Sequence, residues 1–172
     1  MRKWHSAIVL LVIALDRFVK AWTVKTLDLY ETMPLWDGVF HFTYVENRGA
    51  AFGMLEGQMT FFYVVTILFS LALIWVLYFR LPKLKMCGIG LALLLGGALG
   101  NFYDRIVYGY VVDMFEVRLI NFAIFNVADS AVCVGAGLFI LFYLIDDIKT
   151  SKKNKALPEA DDENENAEAS EQ

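Results

Sequence analysis

The stretch TFFYVVTILFSLALIWVLYF, residues 60–79, runs for twenty residues without a charged side chain. Crossing the hydrocarbon core of a bilayer as a helix takes about 20 predominantly apolar residues. That run alone fixes the class of the chain, and three further runs, residues 4–22, 84–102 and 122–145, have the length to follow it. The chain of 172 residues is 58% hydrophobic with a mean hydropathy of +0.52. An ordinary soluble domain holds roughly 45–50% apolar residues. The expected fold is therefore an all-α membrane protein, with four transmembrane helices in one domain over residues 1–148.

The net charge of −4 belongs to the end of the chain, where nine acidic and four basic residues follow from Asp146 onward. Before that point ten acidic residues face eleven basic ones, and no basic stripe suggests nucleic acid. The last segment, residues 149–172, is polar, lacks aromatics and contains Pro158. That composition predicts a disordered acidic tail.

Arg2 and Lys3 precede the first apolar run, yet LDRFVKAW (residues 15–22) stands where a small-residue cleavage site would be. The run is read as an uncleaved anchor helix. Lysines and arginines collect around the N-terminus, the turn between the second and third runs, and the region after Lys149. The positive-inside rule then places both termini in the cytoplasm. The loops at residues 23–59 and 103–121 face outward. In the first of them, GVFHFTYV (residues 38–45) has the aromatic and β-branched content of a strand, and NRGAAFG follows with turn residues. A small β-rich cap outside the membrane is expected.

Cys87 and Cys133 lie at or within separate apolar runs, and His5 and His41 are the only histidines. Neither a disulfide framework nor a zinc site follows from such spacing. Both cysteines are read as small apolar side chains packed among helices, and no metal or cofactor is expected.

The remaining question is why so apolar a chain carries carboxylates. An aspartate at the centre of a spanning helix costs roughly 2.5–3.5 kcal/mol, so it needs a partner or a task. Asp16 and Lys20 share one helix face at i, i+4, the spacing of an ion pair. In GNFYDRIVYGYVVDMFEV (residues 100–117), Asn101 and Arg105 are a turn apart with Asp104 beside them. Snorkelling to water at an interface would account for that group. Asp113 has no adjacent cation and lies in an extended apolar neighbourhood. Asp129, in FNVADSAV, is similar, with Asn126 a turn earlier. Brought together, two carboxylates share one proton, so that one takes a proton from water while the other donates to a carbonyl. The residues alone leave open whether the two meet or belong to unrelated polar pairs. Gly96 and Gly100 in the third run, and Gly135 and Gly137 in the fourth, would let helices pack closely enough. Ser130 has no histidine or well-placed lysine to activate it and is assigned to helix packing.

At these residues the chain resembles the bacterial lipoprotein signal peptidases, also called type II signal peptidases. DRFVK (residues 16–20) is similar to the family's D-x-x-x-K element, and NRGAAFG (residues 47–53) to its N-x-G-A-A-F segment. GNFYDR with VVDMF, and FNVAD at residues 125–129, resemble its G-N-x-x-D-R, V-V-D-F and F-N-x-A-D elements. The resemblance covers about residues 6–145. Arg17 departs from the glutamine common at its position, Arg48 fills a variable one, and Met114 replaces the usual phenylalanine.

The resemblance implies a four-helix aspartyl endopeptidase of the bacterial plasma membrane, working near the outer leaflet. It would remove signal peptides from prolipoproteins, cutting before a cysteine that carries diacylglycerol. The implied partners are such prolipoproteins and membrane lipid, with the chain acting as a monomer and without a cofactor. Asp113 and Asp129 would be the catalytic pair. Asp16, Lys20 and Asn47 would support the site or bind substrate, together with Gly53 and Asn101. Asp104, Arg105 and Asn126 complete that supporting set. A rival reading is a small four-helix transporter that uses Asp16 and Asp129 as ion carriers. Its site would lie near the bilayer midplane, whereas Asp113 and Asp129 fall toward the outer surface. An intramembrane peptidase of the G-x-G-D type ranks low, because no such motif occurs.

Overall fold

The computed structural model describes residues 3–50, 54–80 and 87–155. Among them are four α-helices and three strands, in the order α1 (Lys3–Thr26), β1 (Thr32–Trp36), β2 (Phe40–Asn47), α2 (Met59–Trp75), α3 (Cys87–Tyr108), β3 (Val111–Val117) and α4 (Val127–Lys155). The protein is thus mostly helical with a small sheet.

α3 lies at the centre and packs against α1, α2 and α4. Its glycines make that placement possible. A Cβ on Gly96 would sit 2.8 Å from the Val12 side chain of α1, and one on Gly90 would sit 2.6 Å from the Gly135 carbonyl of α4. On the far side from the sheet the helices close over Val9, Leu73, Leu77, Leu91 and Leu95. The opposite faces stay apolar while exposed, as with Leu10, Leu11 and Phe18 of α1 and Leu68 and Leu71 of α2. Water would penalise such surfaces and lipid tails do not.

By length and composition, α3 and the Val127–Lys152 part of α4 suffice to cross a membrane. α2 has 17 residues, about 26 Å at 1.5 Å per residue. A π-helical turn, Val76–Arg80, continues it. α1 has 24 residues but carries Asp16, Arg17 and Lys20 in its second half.

Four boundaries differ from the expected ones, and the first is that of α1, which runs on to Thr26 and not to residue 22. α3 continues to Tyr108, so Asp104 and Arg105 ride on its last turns and not in a loop that begins at residue 103. Both side chains find partners inside the protein, so their charge does not end the helix. Gly109 does. Its φ of +75° is the left-handed conformation that stops a helix, and its N–H donates to the Arg105 carbonyl at 3.1 Å. α4 starts at Val127, five residues later than expected, because residues 122–126 are not helical and Phe125 is held in a bridge to Phe115. It also runs on through Lys155, into the segment expected to be disordered from residue 149. The rest of that tail, from residue 156, lies outside the described residues.

The strands form one antiparallel sheet in the order β1-β2-β3. The strand expected over residues 38–45 is β2, and β1, which was not expected, pairs with it as a hairpin that turns at Gly38 with φ +70°. β3 comes from the second loop, where no strand was expected. Its addition brings distant residues into register, placing Val45 opposite Asp113 and Asn47 opposite Val111. Phe42, Phe40 and Phe115 pack on one face, and Trp22 of α1 meets Phe42 edge-on at 5.4 Å between ring centres. The sheet is thereby seated on the end of α1. A last bridge pairs Phe115 with Phe125, whose carbonyl accepts from the N–H groups of Met114 and Phe115 at 3.0 and 2.7 Å. The chain then enters α4 directly, so β3 and the start of α4 are held side by side.

Candidate active site

α4 opens with a reciprocal cap. The Asp129 N–H donates to Asn126 Oδ1 at 3.0 Å, and the Asn126 N–H donates to Asp129 Oδ2 at 3.1 Å. Asn126 is the N-cap and Asp129 the third helical residue, the geometry of a capping box. A second helix joins in, because Asp16 Oδ1 of α1 accepts from the Ala128 N–H at 3.0 Å. Gly97 and Gly100 of α3 have no side chain to keep these groups apart, since a Cβ on either would collide with Ala128 or Asp16.

The capped aspartate and the strand aspartate share their holders. Asn126 Nδ2 donates to Asp113 Oδ1 at 2.6 Å and to Asn101 Oδ1 at 3.0 Å. Asn101 Nδ2 donates to Asp129 Oδ1 at 2.7 Å, and Asn47 Nδ2 to Asp113 Oδ2 at 2.9 Å. All four carboxylate oxygens are therefore aimed by asparagine groups, which offer donors without adding charge. Both aspartates line one cavity of about 590 Å³, with Asn47, Asn101, Arg105 and Ser130 as its other polar walls. Residues 122–125 and 132–134 supply most of its apolar wall.

Asp113 is 2% exposed. Burial first, and the charge of Asp129 second, push its carboxyl up from 3.8 to about 7, against the pull of the Asn47 and Asn126 hydrogen bonds. A carboxyl in that range can hold a proton at neutral pH and give it up within the same cavity.

Behind the asparagines lies a buried charge cluster. Lys20 is fully buried and reaches Asp16 at 2.9 Å, Asp104 at 2.8 Å and Asn101 Oδ1 at 2.9 Å. The i, i+4 pair of Asp16 and Lys20 is thus part of a larger set. Asp104 also pairs with Arg17 and accepts the Val112 N–H at 3.3 Å. Asp104 is fully buried and does not snorkel to water. Each such ion costs several kcal/mol to desolvate, so the cluster holds only while every charge keeps a partner.

Arg105 is engaged differently. Its Nη2 donates to the Gly49 carbonyl at 3.2 Å and its guanidinium lies 4.6 Å from the centre of the Phe62 ring. It pins the segment after β2, where Asn47 Oδ1 accepts the Gly49 N–H at 2.9 Å. Gly53 lies outside the described residues.

Some of this could not be read in the sequence. The acceptor for Arg105 is a backbone carbonyl, and Phe62 and Tyr63, whose hydroxyl donates to the Arg105 carbonyl at 2.9 Å, lie in an uninterrupted apolar run. Cys133 was expected to pack among helices. Cys87 is buried, but Cys133 is exposed and lines the cavity, one helical turn after Asp129. The Ser130 hydroxyl donates to the Asn126 carbonyl at 2.9 Å, within its own helix turn. No group of three or more His, Cys, Asp or Glu side chains suited to a metal occurs among the described residues.

The fold resembles those of solved bacterial membrane enzymes. It is similar to a bacterial membrane enzyme solved by the in meso method at 2.3 Å resolution, with a TM-score of 0.80 and 32% identity, over 86% of this chain and 91% of that one. A second, solved the same way at 1.9 Å resolution, gives a TM-score of 0.77 and 32% identity, over 84% and 94%. Residues 8–145 match the family described as Signal peptidase (SPase) II, and the chain belongs to that family. Relatives named lipoprotein signal peptidase agree. The chain is 43% identical to that of Enterococcus faecalis over 84% of its own length and 89% of the relative's. To that of Halalkalibacterium halodurans it is 42% identical over 88% and 99%, and to that of Bacillus subtilis 40% over 87% and 98%. A protease embedded in a membrane is the class these likenesses define.

Proposed function

We propose that the protein is an endopeptidase that removes the signal peptide from prolipoproteins, cutting before the diacylglyceryl-modified cysteine by means of the Asp113 and Asp129 pair. The observation that carries the reading is the pair itself. Two carboxylates on different elements open onto one cavity, and every oxygen is held by a neutral donor. Asp113 carries the shared proton and gives it to the scissile carbonyl oxygen. Asp129 takes a proton from the water between the two as that water attacks the carbonyl carbon. The tetrahedral intermediate then collapses when the pair protonates the leaving amine, and no covalent acyl-enzyme forms.

All four helices span the plasma membrane in this reading, both termini are cytoplasmic, and the sheet caps the outer side. The substrate's lipid and signal helix would run along the apolar wall of the cavity. The lysine-rich ends and the exposed apolar helix faces support that arrangement. Transport through Asp16 and Asp129 is disfavoured, because Asp16 is fully buried and engaged by Lys20 and the Ala128 N–H.

The test is cleavage of a diacylglyceryl prolipoprotein by purified protein. Asp113→Asn and Asp129→Asn each keep the shape and remove the acid–base function, so turnover should fall by about a thousandfold or more. The unmodified prolipoprotein should be a poor substrate for the native protein. Undiminished processing by either variant would remove the pair from the chemistry.

A further inference from the structure

Arg17 is the one partly exposed member of the charge cluster, its side chain 24% exposed while those of Asp16, Lys20 and Asp104 are fully buried. Its guanidinium pairs with Asp104 and lies over two rings of α3, 4.7 Å from the centre of Tyr103 and 5.7 Å from that of Tyr108. Asp104 offers its other oxygen to Lys20 and to the N–H of Val112, the residue before Asp113. Lys20 meanwhile serves Asp16, Asp104 and Asn101, and Asn101 holds Asp129. Without Arg17, two buried carboxylates would draw on one ammonium. Lys20 would be pulled away from Asn101, and the cluster would carry a negative charge next to both aspartates.

We infer that Arg17 is a positioning residue for the aspartate pair, which balances Asp104 so that Lys20 stays on Asn101 and the Val112 amide stays anchored. The inference rests on the reading of Asp113 and Asp129 as the catalytic pair. Arg17 touches neither aspartate, so its effect is on their placement and on the charge around them. The charged groups that face Asp113 are Lys20 from α1, Arg105 from α3 and Asp129 from α4, while Asp104 of α3 holds the neighbouring Val112 N–H. Glu46 of β2 is turned toward Tyr44 and Arg48. Loss of Arg17 leaves the charge of Asp104 unbalanced behind this set, so a proton on Asp113 is held to higher pH.

The experiment measures kcat and KM against pH for full-length R17Q, R17M and R17K on a diacylglyceryl prolipoprotein, beside native protein and D113N. R17Q keeps a hydrogen bond to Asp104 without the charge. Its kcat should fall a few-fold at neutral pH, with KM unchanged and the basic limb moved up by about half a pH unit, the scale of one partly screened charge. R17M, lacking both, should lose about tenfold in kcat or more. R17K keeps the charge and should restore the native limb. A basic limb that stays at the native pH in R17Q overturns the inference, as does R17K behaving like R17M. If R17M does not accumulate in the membrane, R17Q and R17K decide. Activity in D113N would sink the catalytic pair itself. A dead D113N with an unmoved R17Q limb would sink only the role of Arg17.

Discussion

The two ends of the helix bundle are built on opposite principles. Around Val9, Leu73, Leu91 and Leu95 the helices meet through apolar contacts, and none of these side chains needs a partner in one direction. Around Asp16, Lys20, Asn101, Asp104 and Asn126 every contact is directional, and each group serves two or three others. The first end tolerates a change of shape at a cost in volume. The second loses its arrangement when one member goes, because the partners left behind are buried and unsatisfied. In this protein one end supplies stability and the other supplies position, and α3 belongs to both.

Lys20→Met should break the polar end most severely. It strands Asp16 and Asp104 with Arg17 as the one remaining cation of the cluster, a loss of about 3–5 kcal/mol by the usual cost of breaking a buried pair. Thermal unfolding in detergent would show it, and the surviving folded protein should cleave poorly.

Asn126→Ala and Leu94→Ala set the two ends against each other. Asn126→Ala removes donors to Asp113 and Asn101 and the acceptor for the Asp129 N–H. A loss of about 10²–10³ in kcat is expected, the scale for one positioned donor in an active site. The cap itself is worth only about 0.5–2 kcal/mol of stability. Leu94→Ala, in the apolar end, should cost about 2–5 kcal/mol of stability while the folded enzyme keeps its kcat. The comparison fails if both variants lose activity and stability in the same proportion.

How far the sequence announces these two ends also differs. The apolar end is visible as uncharged runs, because burial in lipid is a property of composition. Asp16 and Lys20 are legible from helix spacing alone. The β3 strand is not, since its partner β2 lies in another loop and only pairing makes it a strand. The end of α3 was misplaced because charge at Asp104 and Arg105 resembled an interface, whereas the stop signal was Gly109. The start of α4 could have been found, because Asn126 and Asp129 have the spacing of a capping box. That Asp113 and Asp129 open onto one cavity follows from the Phe115–Phe125 bridge, which no local pattern encodes.

The smallest expected effect concerns the stability cost of keeping Asp113 where it is. Its carboxyl titrates near 7 in the folded protein and near 3.8 as a free side chain, so between those values the folded state binds more protons than the unfolded one. Folding stability must then fall as pH rises through that window and level off above it. Asp113→Asn carries no charge to desolvate and keeps the shape, but its Nδ2 faces one of the amide donors of Asn47 and Asn126, which subtracts from the gain. It should remove this slope and, at about pH 8, unfold later than the native protein by about 0.5–2 kcal/mol, the range typical of single stabilising changes. Thermal unfolding of both proteins at about pH 5 and pH 8 measures it, with the difference between them growing toward the higher pH. A variant that is inactive yet more stable would mean that the polar end gives up stability to hold a proton. An equal or smaller stability at high pH would mean that the neighbours of Asp113 already offset its burial, and that the two ends of the bundle differ less than their contacts suggest.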